Sequence, residues 1–480
     1  MKLIQLWIVC CIFSTCNTDT KPSIVSKAPN ILFCIADDWG WPHAGVYGDS
    51  VVRTPTFDKL TKEGVLFEHA FVSSPSCTPS RNAILTGQHH WQLDEGANLW
   101  STLNINHPVY PLLLEKEGYQ VGFWRKSFGP GNLEPGGYID CHPAGKEYPT
   151  GFKAFLDSKP NGKPFSFWLG ASDPHRSYKL GSGVASGIDV DAIQVPAFLP
   201  DTEEVRSDLA DYYFEVERFD RDCAEAIRLL EERGELENTI VVITGDHGMP
   251  FPRCKSNLYD MGVRVPLAIR WGDKIKPNRR ITDFVSLVDL APTFLEAAGV
   301  EIPPQMTGKS ILSVLKTEED DKIQPEREYA IFGRERHVTA QLMPSIEGYP
   351  SRGIRTKEYL YIYNFYPERW PAGVPENATH PMNSFADCDN GPSKSFLMEN
   401  KDSEFFRSYY NLSFGKRPME ELYEIASDPD QLNNLASEPD YEQVRKMLHE
   451  KLMASLEDAS DPRMTGEGKK FDVYPYLGPL

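Results

Sequence analysis

Two apolar runs that each end in acidic residues constrain the fold of this chain more than any other feature. Residues 30–36 lead directly into Asp37-Asp38, and residues 239–244 lead into Gly245-Asp246-His247-Gly248. Short runs of consecutive apolar residues are typical of central strands that are buried on both faces of a sheet. Such strands deliver polar side chains at their carboxyl ends, where α/β proteins place their sites. The pattern therefore predicts polar chemistry at the ends of buried strands.

Strand and helix patterns alternate along most of the chain. Residues 165–170 form another strand pattern that runs into Asp173-Pro174-His175, and residues 203–233 carry helix-spaced apolar residues that stop at Gly234. This alternation predicts an α/β fold. Near residue 330 the pattern changes, because a charged stretch at 318–328 precedes a strand pattern at 359–363 and a helical tail at 441–456. We predict a catalytic domain over 28–330 and a smaller subdomain over 331–480, with an antiparallel sheet and a helix.

The amino terminus predicts export. Residues 3–13 form an apolar run that is too short to span a bilayer and fits the core of a signal peptide. Phe13-Ser14-Thr15-Cys16 resembles a bacterial lipobox, so we predict a lipoprotein signal over 1–16, lipidation of Cys16 and a tether over 17–27. An ordinary secretory signal with an incidental Cys16 is the alternative. We expect a protein in the periplasm or at the cell surface, anchored by lipid to a bacterial membrane, for which the outer membrane is favoured.

Net charge and cysteine content restrict the possible partners and disulfide bonds of this protein. The formal net charge of -19 and the lack of a basic tract argue against nucleic acid as a partner. An anionic substrate would need a local cationic pocket, because the overall field opposes its approach. Five cysteines remain once those of the signal region and Cys77 are set aside, and their odd number and spacing predict mostly buried free thiols rather than a disulfide framework. These are Cys34, Cys141, Cys223, Cys254 and Cys388.

The segment Cys77-Thr78-Pro79-Ser80-Arg81 carries the most specific chemical signal. Pro79 suits the first turn of a helix, and Gly87 supplies a stop. Cys77 is therefore predicted at or just before a helix amino terminus, where free N–H groups and the helix dipole favour anions. Considered alone, such a pentapeptide is compatible with a buried or mildly reactive cysteine before a surface helix.

The full motif resembles the signature of the type I, formylglycine-dependent sulfatases, because Ala83-Ile84-Leu85-Thr86-Gly87 follows it, although Gln88 stands where the family usually has arginine. The resemblance implies that a maturase oxidises Cys77 to formylglycine. It also implies an alkaline-phosphatase-like fold, with a large mixed central sheet flanked by helices and a smaller carboxyl-terminal subdomain. The variation at 128–131 and the segment 364–371 resemble bacterial polysaccharide sulfatases related to heparan N-sulfatase, a group that includes ulvan-active enzymes. The implied substrate is a sulfated poly- or oligosaccharide.

The acidic pairs predict a metal site. Two adjacent carboxylates at a strand end repel each other unless a cation neutralises them. Oxygen-rich ligation with one imidazole suits a hard divalent ion such as calcium, or less well magnesium, and disfavours zinc. The resemblance assigns one calcium ion to five positions, namely Asp37, Asp38, residue 77 as formylglycine, Asp246 and His247.

The resemblance also names the residues that surround the sulfate. Arg81 and Lys126 match family cations, His175 matches the histidine that protonates the leaving atom, and Lys255 matches a second lysine, with Arg253 as a competitor for that role. Phe128 stands where the family has a histidine, so the base that breaks down the sulfated intermediate is missing. The segment 364–371 resembles polysaccharide sulfatases, and its Arg369 and Trp370 are candidates for a sugar subsite. The same sites considered without the resemblance would be loop and surface residues.

Two other classes of function stay open from the sequence. A formylglycine-dependent phosphonate or phosphate ester hydrolase would keep the same metal carboxylates. A non-catalytic glycan-binding lipoprotein would keep Cys77 as an unconverted thiol.

Overall fold

The computed structural model describes residues 28–376 and 384–479. The predicted signal peptide, the lipidation site Cys16 and the tether lie outside the described residues. Within the described part of the chain, no helix combines the length and the apolar composition needed to cross a membrane.

An eight-stranded mixed sheet forms the centre of the molecule, and the predicted α/β fold is confirmed. Its order is β4-β3-β5-β1-β6-β7-β2-β8, and β7 runs antiparallel to both of its neighbours. The strands predicted at 30–36, 165–170 and 239–244 form its three central members. The bounds are β1 Asn30–Ala36, β2 Val65–Phe71, β3 Gln120–Arg125, β4 Lys146–Glu147, β5 Phe165–Gly170, β6 Thr239–Gly245, β7 Leu267–Arg270 and β8 Arg279–Ser286.

The two faces of β1 belong to two different hydrophobic cores. Ile31, Phe33 and Ile35 lie in one buried cluster, whereas Leu32 and Cys34 lie in the other. Every residue of the strand is buried. A strand that is buried on both faces carries no polar position inside the sheet, so its polar residues are confined to the strand end.

A four-stranded antiparallel sheet, ordered β12-β11-β10-β9, forms a second layer of structure. The predicted carboxyl-terminal helix packs on this sheet through Leu448, Leu452 and Leu456, which share a buried cluster with Ile354 and Tyr361. The strand bounds are β9 Tyr329–Arg334, β10 Ser351–Thr356, β11 Tyr359–Asn364 and β12 Glu420–Glu424.

Helices cover both faces of the large sheet, and the longest one, predicted at 203–233, spans Glu203–Glu232. The bounds are α1 Pro55–Glu63, α2 Cys77–Thr86, α3 Tyr110–Lys116, α4 Phe152–Ser158, α5 Ser182–Ala185, α6 Glu203–Glu232, α7 Asp260–Val263, α8 Leu290–Ala298, α9 Leu312–Lys316, α10 Pro392–Glu399, α11 Arg407–Phe414, α12 Glu442–Asp458 and α13 Lys470–Val473. The predicted free thiols are confirmed for the described cysteines, of which only Cys141 is exposed.

Candidate active site

The acidic residues that follow β1 and β6 lie side by side at the carboxyl edge of the large sheet. These parallel neighbours end on the paired residues Ala36 and Gly245, so Asp37 and Asp246 leave the sheet at the same level. The Asp38 N–H donates to Asp246 Oδ1 at 2.9 Å. Asp38 has a φ of 74°, a left-handed conformation that is costly for a non-glycine residue and is often found at functional sites.

Two basic residues reach the same edge from β3 and β5. Arg125 pairs with Gly170 in the parallel register of these strands, which makes Lys126 the first residue beyond β3. A Cβ atom on Gly170 would lie 1.6 Å from the Lys126 carbonyl oxygen, so only glycine permits this approach. His175 lies in the loop after β5, and 35% of its side chain is exposed.

Cys77 begins α2, which confirms its predicted place at a helix amino terminus. The Ser80 hydroxyl donates to the Asp246 carbonyl at 2.6 Å and holds the first turn of α2 against the sheet edge. Cys77 is only 1% exposed. Burial raises the pKa of its thiol far above the usual value, although Lys126 and Lys255 oppose the shift. As a free cysteine, residue 77 would therefore be a poor thiolate nucleophile.

The Arg81 guanidinium is fully buried in the middle of the site and contacts residues that follow three different strands. Its Nε donates to Asp246 Oδ2 at 2.8 Å, and one Nη donates to the Lys126 carbonyl at 2.6 Å. The other Nη lies 3.4 Å from Asp37 Oδ1. A planar fork with several N–H donors can satisfy these three acceptors at once, which a lysine ammonium at this position could not do in the same geometry.

Four side chains place potential metal ligands close together. One ligand atom from each of Asp37, Asp38, Cys77 and His247 lies within 4.8 Å of the other three. His247 Nε2 is 3.2 Å from Asp38 Oδ1 and 3.3 Å from Cys77 Sγ. Asp38 Oδ1 is buried and accepts no hydrogen bond, which is expected of an oxygen that faces a cation. Asp246, the fifth predicted ligand, borders this cluster, with its Oδ1 3.7 Å from His247 Nε2.

The two predicted lysines neutralise the aspartate pair. Lys126 Nζ lies 2.6 and 2.7 Å from the oxygens of Asp37, and Lys255 Nζ lies 2.9 Å from Asp38 Oδ2. Burial opposes the ionisation of Asp37, yet the nearby cations, Lys126 first, hold its pKa well below the usual value. Burial also opposes the charged form of Lys255, but nearby carboxylates, Asp38 first, raise its pKa well above the usual value. The site therefore holds fixed charges of both signs.

His175 is the most exposed of the predicted site residues around the sulfate position. Its Nδ1 lies 2.5 Å from the Arg176 carbonyl oxygen, which can only accept, so Nδ1 carries a proton. The other ring nitrogen, Nε2, points into the site and lies 4.0 Å from Asp38 Oδ2. This geometry leaves Nε2 directed at the space that a bound substrate would occupy.

The structure distinguishes between Lys255 and Arg253, the two candidates for the second cationic role. The Arg253 guanidinium donates to the carbonyls of Leu412 and Gln431 and lies 3.6 Å over the ring of Tyr259. It is thus engaged with the carboxyl-terminal half of the chain rather than with the aspartate pair. Lys255 occupies the second cationic position.

The absence of a histidine beside Lys126 has a structural counterpart. Phe128 is partly buried and packs against the core on one face of the large sheet. Its ring offers no proton donor or acceptor to the site. Phe128 itself therefore does not take the role of the family histidine.

Arg369 and Trp370, the candidates for a sugar subsite, both contact other parts of the protein. Arg369 forms ion pairs with Glu347 and Asp472 at 2.9 and 3.1 Å, so the protein itself uses its charge. The backbone of Trp370 is held on both sides by the Gln341 amide, at 2.8 and 3.1 Å. The Trp370 ring has the Lys416 ammonium 5.0 Å from its centroid. A sugar-stacking role for Trp370 stays a prediction.

Two residues at the site were missed by sequence analysis. Asp389 lies with its Oδ2 3.0 Å from Lys255 Nζ. His337 lies with its Nδ1 2.7 Å from the hydroxyl of Ser76, the residue before Cys77, and burial lowers its pKa well below the usual value. Both belong to irregular segments beside the second sheet. No motif or periodicity marks such positions, because only long-range packing brings them to the site.

Comparison with known proteins agrees with this architecture. The family model named Sulfatase matches residues 29–300, more than half of the chain, and the model named N-sulphoglucosamine sulphohydrolase, C-terminal matches residues 245–374. The chain is 29% identical to an ulvan-active sulfatase of Formosa agariphila, over 92% of this chain and 82% of that protein. It is 27% identical to human N-sulphoglucosamine sulphohydrolase, over 91% of each.

Solved structures show the same fold at lower identity. A protein in complex with its substrate D-glucosamine-2-N,6-O-disulfate superimposes with a TM-score of 0.61 at 20% identity, over 91% of this chain and 98% of that one. A phosphonate monoester hydrolase of Silicibacter pomeroyi superimposes with a TM-score of 0.64 at 17% identity, over 90% of this chain and 96% of that one. The alkaline-phosphatase-like fold predicted from the motif is confirmed, and fold alone does not distinguish sulfate from phosphonate esters.

Proposed function

Because this chain belongs to the sulfatase family, we propose that it removes sulfate groups from a sulfated polysaccharide or its oligosaccharides, using a formylglycine formed from Cys77 and a calcium ion. The observation that carries the proposal is the convergence of Cys77, the aspartate pair and two lysines at one sheet edge. An anion bound there would meet both cations and the amino terminus of α2.

Residue 77 supports the proposed modification through its surroundings. As a cysteine it is buried with a raised pKa, so thiolate chemistry is disfavoured. A hydrated aldehyde at this position would supply a nucleophilic oxygen instead. Arg81 is held rigidly one helical turn further along α2, where it fixes Asp37 and Asp246 beside residue 77. The formylglycine-generating maturase is therefore an expected partner.

The four-residue cluster fits a hard divalent cation once residue 77 presents oxygen. Asp37 and Asp38 offer carboxylate oxygens, one of them buried without a hydrogen bond, and His247 adds an imidazole nitrogen. A bound calcium ion would polarise a sulfate oxygen and favour ionisation of the nucleophile. With an unmodified Cys77 the donor set would suit a softer metal better, so the metal assignment depends on the modification.

The chain's own side chains account for charge balance and proton transfer. Lys126 and Lys255 would share their charge between the aspartates and a bound sulfate, and so stabilise charge on the sulfuryl group during transfer. Nε2 of His175 faces the open side of the site and, with the ring in its imidazolium form, would pass a proton to the leaving atom and leave the ring neutral with its proton on Nδ1. The Arg176 carbonyl holds the ring in that orientation through Nδ1.

The proposed substrate class rests on relatives and on charge. The two curated relatives described above are named for action on ulvan and on N-sulphoglucosamine. With a net charge of -19, the protein does not attract polyanions over long range, so a sulfated glycan would be recognised by the local cations of the site.

The test combines mass spectrometry with substrate profiling. After coexpression with a maturase, the tryptic peptide that contains residue 77 should show conversion to formylglycine. The matured protein should then release sulfate from ulvan, carrageenan or heparin oligosaccharides faster than it cleaves a phosphonate monoester. Faster phosphonate cleavage would reassign it as a phosphonate hydrolase, and an unconverted thiol with no sulfate release would favour a non-catalytic glycan-binding protein.

We also propose that the protein is exported and lipid-anchored through Cys16, on the sequence of residues 1–16 alone. The test is metabolic labelling with a radioactive fatty acid. Label on the wild type and none on Cys16→Ala would support the anchor. Equal labelling, or no labelling of either protein, would contradict it.

A further inference from the structure

We propose that Asp389 is a substrate-binding residue that accepts a hydrogen bond from a hydroxyl or N–H group of the sugar, next to the atom that carries the sulfate. The inference rests on the proposed function and adds to it a contact with the sugar rather than with the sulfate. Asp389 precedes α10, far in sequence from the strand ends that supply the rest of the site.

Asp389 lies on the open side of the site. Ligand atoms of Asp389, Asp38 and His175 lie within 4.8 Å of one another. The Asp389 side chain is 13% exposed, whereas that of Asp38 is 0% exposed. Asp389 thus stands beside His175, where the leaving atom of a bound ester would be, and on the side from which a sugar would enter.

The charge of Asp389 is the reason to assign it to the sugar. Its Oδ2 lies 3.0 Å from the Lys255 ammonium, and an ammonium at this distance favours the ionised form of a carboxyl group. An ionised carboxylate accepts hydrogen bonds and cannot donate them, and it repels a sulfate. A carboxylate beside a sulfate-binding pocket weakens the binding of sulfate, unless a contact with another part of the substrate offsets the repulsion. A sugar hydroxyl or N–H group supplies the donor that a carboxylate needs.

The segment that carries Asp389 is held in place by its own set of contacts. The Asp387 carboxylate pairs with Arg334 at 2.6 Å and accepts from the Val338 N–H at 2.9 Å. The Lys394 ammonium donates to the carbonyls of Cys388 and Phe385 at 2.7 and 3.0 Å. These contacts fix the backbone on either side of Asp389, so its carboxylate is positioned before a substrate arrives.

The rival role for Asp389 is to hold Lys255 in place, since the two groups are 3.0 Å apart. The two roles differ in their effect on sulfate itself. If Asp389 acted only through Lys255, its loss would weaken the binding of inorganic sulfate and of sulfated sugar alike. If it contacts the sugar, its loss removes a repulsive charge from the sulfate pocket and weakens only the sugar substrate.

The experiment compares Asp389→Ala with the wild type and with Asp157→Asn, which removes an exposed carboxylate from α4. Each protein is checked for conversion of residue 77 and for an unchanged melting temperature. The substrate is whichever of the ulvan, carrageenan and heparin oligosaccharides the wild type desulfates fastest, and inorganic sulfate is the competitive inhibitor. We expect Asp389→Ala to lose about 10- to 100-fold in kcat/KM, as for one hydrogen bond to a charged group. The inhibition constant for sulfate should stay within about threefold of the wild type or fall. Asp157→Asn should match the wild type in both.

Two results would overturn the inference. One is a rise in the sulfate inhibition constant that matches the loss in kcat/KM, which would make Asp389 a positioning residue for Lys255. The other is a change in kcat/KM of less than about threefold, too small for a charged hydrogen bond. A wild type that converts residue 77 and still releases no sulfate from any oligosaccharide would refute the proposed function instead, and so the two failures are distinguishable.

Discussion

Arg81 should be the most costly single side chain to remove from the site, in stability as well as in activity. Its side chain has no exposed surface, and neither does that of Asp246, its partner at 2.8 Å. Removing one partner of a buried pair leaves an uncompensated charge and typically costs about 3–5 kcal/mol. Asp37 keeps Lys126 at 2.6 Å after the change, so most of the cost arises at Asp246. We therefore expect Arg81→Met to lose about 3–5 kcal/mol of unfolding free energy.

Arg81→Lys separates the charge from the geometry of the side chain. A lysine retains the positive charge but cannot reach Asp246, Asp37 and the Lys126 carbonyl together. The loss of about one hydrogen bond to a charged group predicts a destabilisation of about 1.5–3 kcal/mol, between those of the wild type and Arg81→Met.

The assay is equilibrium unfolding in urea with a chelator present, so that bound metal adds nothing to the measured stability. The matched control is Arg228→Met, which removes an exposed arginine that pairs with Glu225 and Glu232 on α6. Exposed pairs of this kind contribute little to stability, because water screens both charges. If Arg81→Met were destabilised no more than Arg228→Met, with an unchanged m value, the buried-charge reasoning would be wrong.

The remaining predictions concern the nucleophile, the metal, the proton donor and the effect of pH. Cys77→Ala should abolish sulfate release and leave the far-ultraviolet circular dichroism spectrum unchanged; residual turnover above that of a blank would refute the nucleophile. Calcium at about 100 times its dissociation constant should stabilise the matured protein by about 2.7 kcal/mol in urea unfolding, and an Asp38→Asn variant should lose this gain. His175→Ala should reduce kcat by about 10²- to 10⁴-fold on a sugar sulfate and much less on 4-nitrophenyl sulfate, whose leaving group needs no proton; equal losses would argue against proton transfer. Burial lowers the pKa of His43 to about 4. On acidification this histidine therefore takes up a proton in the unfolded chain before it does so in the folded protein, and the free energy of unfolding should fall between pH 7 and pH 5. Urea unfolding at both values should show a decline of about 2 kcal/mol from this group, and His43→Gln should remove that share.

Much of the candidate site at the carboxyl edge of the large sheet can be predicted from local sequence. The apolar run of β1 is buried on both faces, so the polar side chain that follows it, Asp37, falls at the carboxyl end of the strand. As predicted, Pro79 lies in the first turn of α2 and Gly87 ends the helix in a left-handed conformation at φ 63°. These signals are readable because periodicity, helix starts and helix stops depend on residues only a few positions apart. The motif around Cys77 then identified the family.

The choice between alternatives at the site depended on three-dimensional contacts. Sequence analysis left Arg253 and Lys255 in competition, and the structure resolves it because Arg253 is bound by carbonyls of the carboxyl-terminal half. Arg369 stays a candidate for sugar binding, and the structure adds that it pairs with Asp472 and Glu347. Long flexible side chains can reach several partners, so their neighbours decide their role and spacing along the chain does not.

The sequence by itself determined the fold class, the strand ends that carry the acidic groups and the helix that begins at Cys77, because each of these is encoded by nearby residues. Only the tertiary structure brought Asp389 to Lys255 and His337 to Ser76, across separations of 134 (389 − 255) and 261 residues. Those contacts arise from the packing of the second sheet and its flanking segments against the edge of the first. Packing of this kind depends on two assembled surfaces, so no local pattern in the chain predicts which loop residue will complete the site.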